Sequence, residues 1–145
     1  MKHRILEDIG GRRKFLIVLA PGEEAIETVT AFAKDNDVEG ASIQGIGAFS
    51  HTQLGYFNPT TKEFVQNDIN EQTEVLSMIG NVAVEEGEGF HLHIHTVLGC
   101  RDATTRGGHL IKGWVSPTME LIIEESEVHM KRSVDDATGL VLLKP

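Results

Sequence analysis

The chain has 145 residues, 40% hydrophobic and 24% charged, a balance that suits one folded domain over 1–145 and excludes a disordered or low-complexity chain. With 22 acidic against 13 basic residues the formal net charge is -9, which opposes approach to phosphate backbones. Cys100 stands alone, which excludes an intramolecular disulfide framework and a cysteine-rich zinc site.

Met1–Asp8 carries basic residues but not the apolar run of a signal peptide, and no stretch reaches the length that spans a bilayer, so the expected compartment is the cytoplasm and no membrane partner is expected. Arg13–Leu19 is a short apolar run of strand formers closed by Pro21-Gly22, which predicts a buried strand. From Glu23 to Asn36 the apolar residues Ile26, Val29, Phe32 and Ala33 fall on one helical face, and Glu23 and Glu24 suit the positive end of the helix dipole. This is the one main helix.

Beyond Ala41 the pattern changes to β-prone runs. Strands are expected near Ala41–Ile46, Thr52–Phe57, Glu63–Asn67, Glu74–Ala83, His91–Leu98, His109–Val115, Thr118–Glu125 and Val128–Arg132. Pro117 lacks the amide hydrogen a central strand donates, so Trp114–Met119 reads as a hairpin or bulge that puts His109 and Glu120 on successive strands. Gly45-Ile46-Gly47 reads as a kink or tight turn, and Gly80-Asn81 as a bulge or close backbone approach. The expected fold class is α+β: a single domain with a largely antiparallel twisted sheet, or an open barrel, and one helix.

The chemistry concentrates in His91-Leu92-His93-Ile94-His95 and Gly107-Gly108-His109. Side chains alternate along a strand, so His91, His93 and His95 share a face, with neighbours roughly 6.5–7 Å apart at Cα. Two converging imidazoles and a third from a neighbouring strand form a metal-ligand set, and His109 is the natural third. Gly107 and Gly108 remove side chains that would obstruct the approach. Zinc is the first choice of cofactor, while imidazole also accepts nickel, iron, cobalt or copper. The competing reading is a solvated strand face that happens to carry histidines. Glu120 is a candidate general base or orienting partner of an imidazole, against a merely structural hydrogen bond. His3, His51 and His129 have no comparable partners in sequence, and Arg12-Arg13-Lys14 and Lys131-Arg132 are the only basic clusters. A cupin also places His-x-His on a strand, but the glutamate expected a few residues later is replaced by Gly99-Cys100-Arg101.

Taken in order, Gly45-Ile46-Gly47, Leu54-Gly55-Tyr56-Phe57, Glu74–Asn81, His93-Ile94-His95, Gly107–Leu110 and Pro117–Glu120 resemble the plant and prokaryote conserved (PPC) domain across nearly the whole chain. The resemblance implies an α+β domain, usually a homotrimer, with a histidine metal site in many prokaryotic members and none in the plant ones. It selects His93, His95 and His109 as ligands and leaves His91 outside the motif, as a candidate fourth ligand or a neighbour. In plants the domain follows AT-hook motifs in nuclear DNA-binding proteins, so prokaryotic members are often described as candidate DNA-binding proteins. This chain has no Arg-Gly-Arg-Pro core, and Glu71–Leu76 keeps only the second half of the plant partner-binding hexapeptide Gly-Arg-Phe-Glu-Ile-Leu. A homotrimer would triple the -9 charge, which weighs against unaided DNA binding. The expected function is a metal-binding homotrimeric scaffold, with zinc as the first choice of metal, whose partner is a protein or a small molecule. The alternatives are a zinc-dependent hydrolase with an open water position and a DNA-associated transcriptional regulator.

Overall fold

The computed structural model describes residues 1–85 and 87–145. Strand β1 (Lys2–Ile9) pairs antiparallel with β2 (Arg12–Leu19), whose Phe15, Ile17 and Leu19 alternate into the core. Helix α1 (Ala25–Asp35) begins at Glu24, whose carboxylate accepts from the Ile26 and Glu27 amides and so satisfies donors that a helix leaves open. The same carboxylate accepts from the Gly113 amide at 2.8 Å, which fastens the helix start to the sheet. Ala25, Val29, Phe32 and Ala33 form the buried face, and Phe32 meets Phe15 edge-on at 5.1 Å.

Two long strands organise the rest: β3 (Gly40–Asn58) and β7 (Thr105–Glu125) run antiparallel along most of their lengths. Strand β4 (Glu63–Ile69) pairs with the second half of β3, and β5 (Thr73–Glu85) with the first half. Strand β6 (Gly89–Gly99) lies between β5 and the start of β7. The short β8 (Lys131–Val134) adds to β5 in parallel, and β9 (Val141–Lys144) closes on β8. The path β1-β2-β7-β3-β5-β8-β9 has free strands at both ends, so the architecture is a twisted mixed sheet with one helix and not a closed barrel. The expected antiparallel sheet is present, with the β5–β8 pair as the parallel element.

Three expectations change. Ala41–Ile46 and Thr52–Phe57 belong to one strand, β3, whose register shifts after Gly45 and around Phe49. His109–Val115 and Thr118–Glu125 likewise belong to β7, so His109 and Glu120 share a strand and no hairpin separates them. Pro117 is accommodated because Gly47 opposes Met119 while Phe49 opposes Val115: β7 bulges there, and the missing proline amide falls in the interruption. Finally, the strand expected near Val128–Arg132 is displaced to Lys131–Val134, and the sequence reading includes neither β9 nor the longer β1. Strand β1 is exposed along its whole length, so it carries no alternating pattern for a sequence to reveal.

Candidate metal centre

Strand β6 alternates as its sequence predicts: Leu92, Ile94 and Leu98 enter the core and the odd-numbered histidines take the opposite face. In the ladder, His95 stands opposite His109 of β7, and His93 opposite Asn81 of β5. The result is one group, His93, His95 and His109, whose ring nitrogens all lie within 4.8 Å of one another. The His93 and His95 Nε2 atoms are 3.1 Å apart, and the ring centroids are 5.0, 5.2 and 5.6 Å apart. Tetrahedral zinc with Zn–N bonds of about 2.0–2.1 Å needs nitrogens about 3.3–3.4 Å apart. The His93–His95 pair, at 3.1 Å, is close to that spacing, and one nitrogen from each of the three rings lies within 4.8 Å of the others, so the donor set fits a divalent transition metal.

Glycines make the approach of these strands possible. A Cβ on Gly80 would lie 2.1 Å from the His93 carbonyl oxygen and 2.9 Å from Ile94 Cα. The close approach expected at Gly80 is therefore real, and it presses β5 onto the segment that carries His93. Gly108 does the same beside His109, where a Cβ would sit 2.9 Å from the Gly55 carbonyl oxygen.

For His93 and His109 the surroundings favour the neutral form that metal binding requires. Burial pushes the His93 pKa down to about 4, helped by the positive charge of Arg132 and by His109, His95 and His91. The His109 pKa is lowered too, chiefly by burial and then by His95, His91 and Arg132. The exposed Phe64 ring lies 5.4 Å from His109 and 5.4 Å from Phe57, so one flank of the group is apolar.

Other candidates are placed elsewhere. His91 lies outside the three-nitrogen group and turns its Nδ1 toward Glu85 Oε2 at 3.7 Å, the position of a neighbour. Glu120 is exposed near the far end of β7, in register with Val18 and Ile46, and the fold does not bring it to the histidines. His51 stacks on Trp114 at 3.9 Å, His129 faces Glu39 at 2.6 Å and His3 packs on Phe32 at 5.1 Å.

The basic clusters are also accounted for. Arg12 meets Glu127 at 3.4 Å, Arg13 meets Glu125 at 2.5 Å and Lys14 meets Glu124 at 3.3 Å. Arg132 is buried, with its Nη2 donating to Asn81 Oδ1 at 2.6 Å. Sequence reasoning noticed Arg132 only as one of two adjacent cations and missed Asn81 and Phe64. Asn81 was legible in principle, since a polar residue after Gly80 in an apolar strand points away from the core.

Comparison with known proteins places this geometry in a family. The model of the Plants and Prokaryotes Conserved (PCC) domain matches residues 8–127. A plant- and prokaryote-conserved protein from Pyrococcus horikoshii has 30% identity and a TM-score of 0.85, covering 92% of this chain and 92% of that one. A candidate DNA-binding protein from Bacteroides thetaiotaomicron has 27% identity and a TM-score of 0.87, covering 98% of this chain and 96% of its own. A metal-containing protein from Archaeoglobus fulgidus has 28% identity and a TM-score of 0.84, covering 99% of this chain and 97% of its own. No curated protein matches the chain. The chain belongs to the plants and prokaryotes conserved domain family.

Proposed function

We propose that this protein is a homotrimeric metal-binding module whose His93, His95 and His109 hold one divalent transition metal, zinc first, and whose role is to bind a protein or small-molecule partner. The observation that carries this reading is the convergence of three ring nitrogens within 4.8 Å on two adjacent strands. The lowered pKa values of His93 and His109 and the metal-containing relative from Archaeoglobus fulgidus support it. Three imidazoles would leave a fourth position open to water or a ligand, and a bound zinc would act there as the Lewis acid.

A module is favoured over a hydrolase because, among the described residues, no carboxylate is recorded beside His93, His95 and His109: Glu120 is remote, and Glu85 faces His91. DNA binding is disfavoured by the net charge of -9 and by the pairing of Arg12, Arg13 and Lys14 with glutamates. Trimer formation is supported by an exposed apolar cleft containing Ile46, Leu76 and Ile79, which are 59, 53 and 60% exposed in the single chain.

Elemental analysis of protein purified without an affinity tag tests the metal: one equivalent per chain is expected. Less than about a tenth of an equivalent after reconstitution sinks the reading. Sedimentation equilibrium tests assembly, and a monomer at micromolar concentration would remove the trimer.

A further inference from the structure

The flank of the histidine group opposite Phe64 holds a buried cation. Arg132 comes from β8, beyond the family-matched residues 8–127, and stands opposite Glu85 of β5. Asn81 on β5 opposes His93, and Ala83 opposes His91, so Asn81 and the histidines share one face. The Arg132 side chain is directed to that face: Nη2 donates to Asn81 Oδ1 at 2.6 Å and Nη1 to the Val141 carbonyl at 3.0 Å. The residue is 3% exposed, and its buried Nε has no acceptor among the described residues. No carboxylate among them lies within ion-pair distance of it either; Glu85 comes closer to His91.

A buried guanidinium with an unmet donor is destabilising unless an anion or an oxygen acceptor joins it. Its charge also reaches the histidines, since it lowers the pKa of His91, His93 and His109. Three neutral imidazoles bring no negative charge to a dication. Binding the metal therefore concentrates positive charge on one strip running from His109 to Arg132, and that strip favours an anionic ligand.

We propose that Arg132, oriented by Asn81, makes the fourth position of the metal centre a site for a small carboxylate with an apolar body. This rests on the metal reading above. The carboxylate lies toward Arg132, whose planar donors suit a carboxylate edge, and the apolar body lies toward Phe64 beside His109. Inorganic phosphate fits less well, because it lacks the apolar body that would meet Phe64.

The test uses the untagged full chain loaded with cobalt(II), titrated with benzoate, benzamide and inorganic phosphate, and read by the cobalt absorption spectrum and by calorimetry. Benzoate should change the spectrum saturably and bind at least tenfold more tightly than benzamide or phosphate. Arg132→Met should keep one equivalent of cobalt while binding benzoate at least tenfold more weakly, with Arg132→Lys in between. If Arg132→Met loses its native circular dichroism, Asn81→Ala takes its place, with the same retention of cobalt and a several-fold loss of benzoate affinity. A cobalt-loaded wild type that ignores benzoate or prefers phosphate overturns this inference alone, as does a folded variant that binds benzoate normally. A wild type that takes up no cobalt overturns the metal reading and this inference with it.

Discussion

Replacing Gly80 with alanine should damage stability and metal binding together. The added Cβ would lie 2.1 Å from the His93 carbonyl oxygen, with Ile94 Cα and Cγ1 both at 2.9 Å. Two of these atoms are backbone, so no rotamer change relieves the clash; β5 and β6 must separate. Overpacking of this kind costs about 2–3 kcal/mol. For a chain of 145 residues that corresponds to a fall in Tm of about 6–10 °C. Because the displaced atoms belong to His93 and its neighbour, the metal should bind roughly tenfold more weakly, as when a ligand's support is disturbed. Gly99→Ala is the control: the three atoms nearest its Cβ would all belong to the Leu76 side chain, at 3.3 Å, and none to backbone. Calorimetry of the metal-free proteins and cobalt titration of both variants provide the readouts. A Gly80→Ala protein as stable as wild type, or a Gly99→Ala protein equally destabilised, would refute the account of how β5 and β6 pack.

Further outcomes follow from the same geometry. The His93 pKa of about 4 lies below the unfolded value of 6.5, so the unfolded chain binds the extra proton between these values. Stability of the metal-free chain should be fully present above pH 6.5 and fall as the pH drops toward 4. Urea midpoints should show a shallower fall for His93→Gln than for wild type; parallel curves would remove His93 as a cause. Arg13→Ala should destabilise by about 2–3 kcal/mol, because it leaves the largely buried Glu125 with the residue 13 amide but without its cation, and removes the donor to the Asn36 carbonyl at the end of α1. Denaturation midpoints near wild type would show that this pair contributes little. Fluorescence anisotropy at physiological salt should detect no binding to duplex DNA, and a salt-resistant complex would restore the regulator reading.

The metal centre was more legible in sequence than the sheet that builds it. His91, His93 and His95 share a face because strand alternation is fixed by backbone geometry, and the glycines before His109 announced a close approach. The helix was equally plain, since Val29, Phe32 and Ala33 repeat at helical spacing and Glu23 and Glu24 suit its positive end, although Glu24 proves to be the cap and not part of the first turn. Strand continuity was not legible. Pro117 and Gly45–Gly47 look like chain breaks, yet Pro117 lies in a bulge of β7 and Gly45–Gly47 runs on as strand opposite a bulge of β5, each held by neighbours distant in sequence. Strand β1 is stabilised by pairing with β2 and not by burial of its own side chains, so its sequence carries no pattern. Arg132 shows the same limit in the site: only the return of β8 alongside β5 makes a terminal arginine a buried neighbour of the histidines.

The central claim is that three imidazoles from two strands hold one metal ion. X-ray absorption at the zinc edge, on untagged protein reconstituted with one equivalent, tests it most directly. The account predicts a four-coordinate spectrum with three imidazole nitrogens at about 2.0–2.1 Å and one further light atom, and loss of the imidazole pattern in His109→Ala. A sulfur scatterer at about 2.3 Å, which would implicate Cys100, or a six-oxygen shell indifferent to His109→Ala, would contradict it.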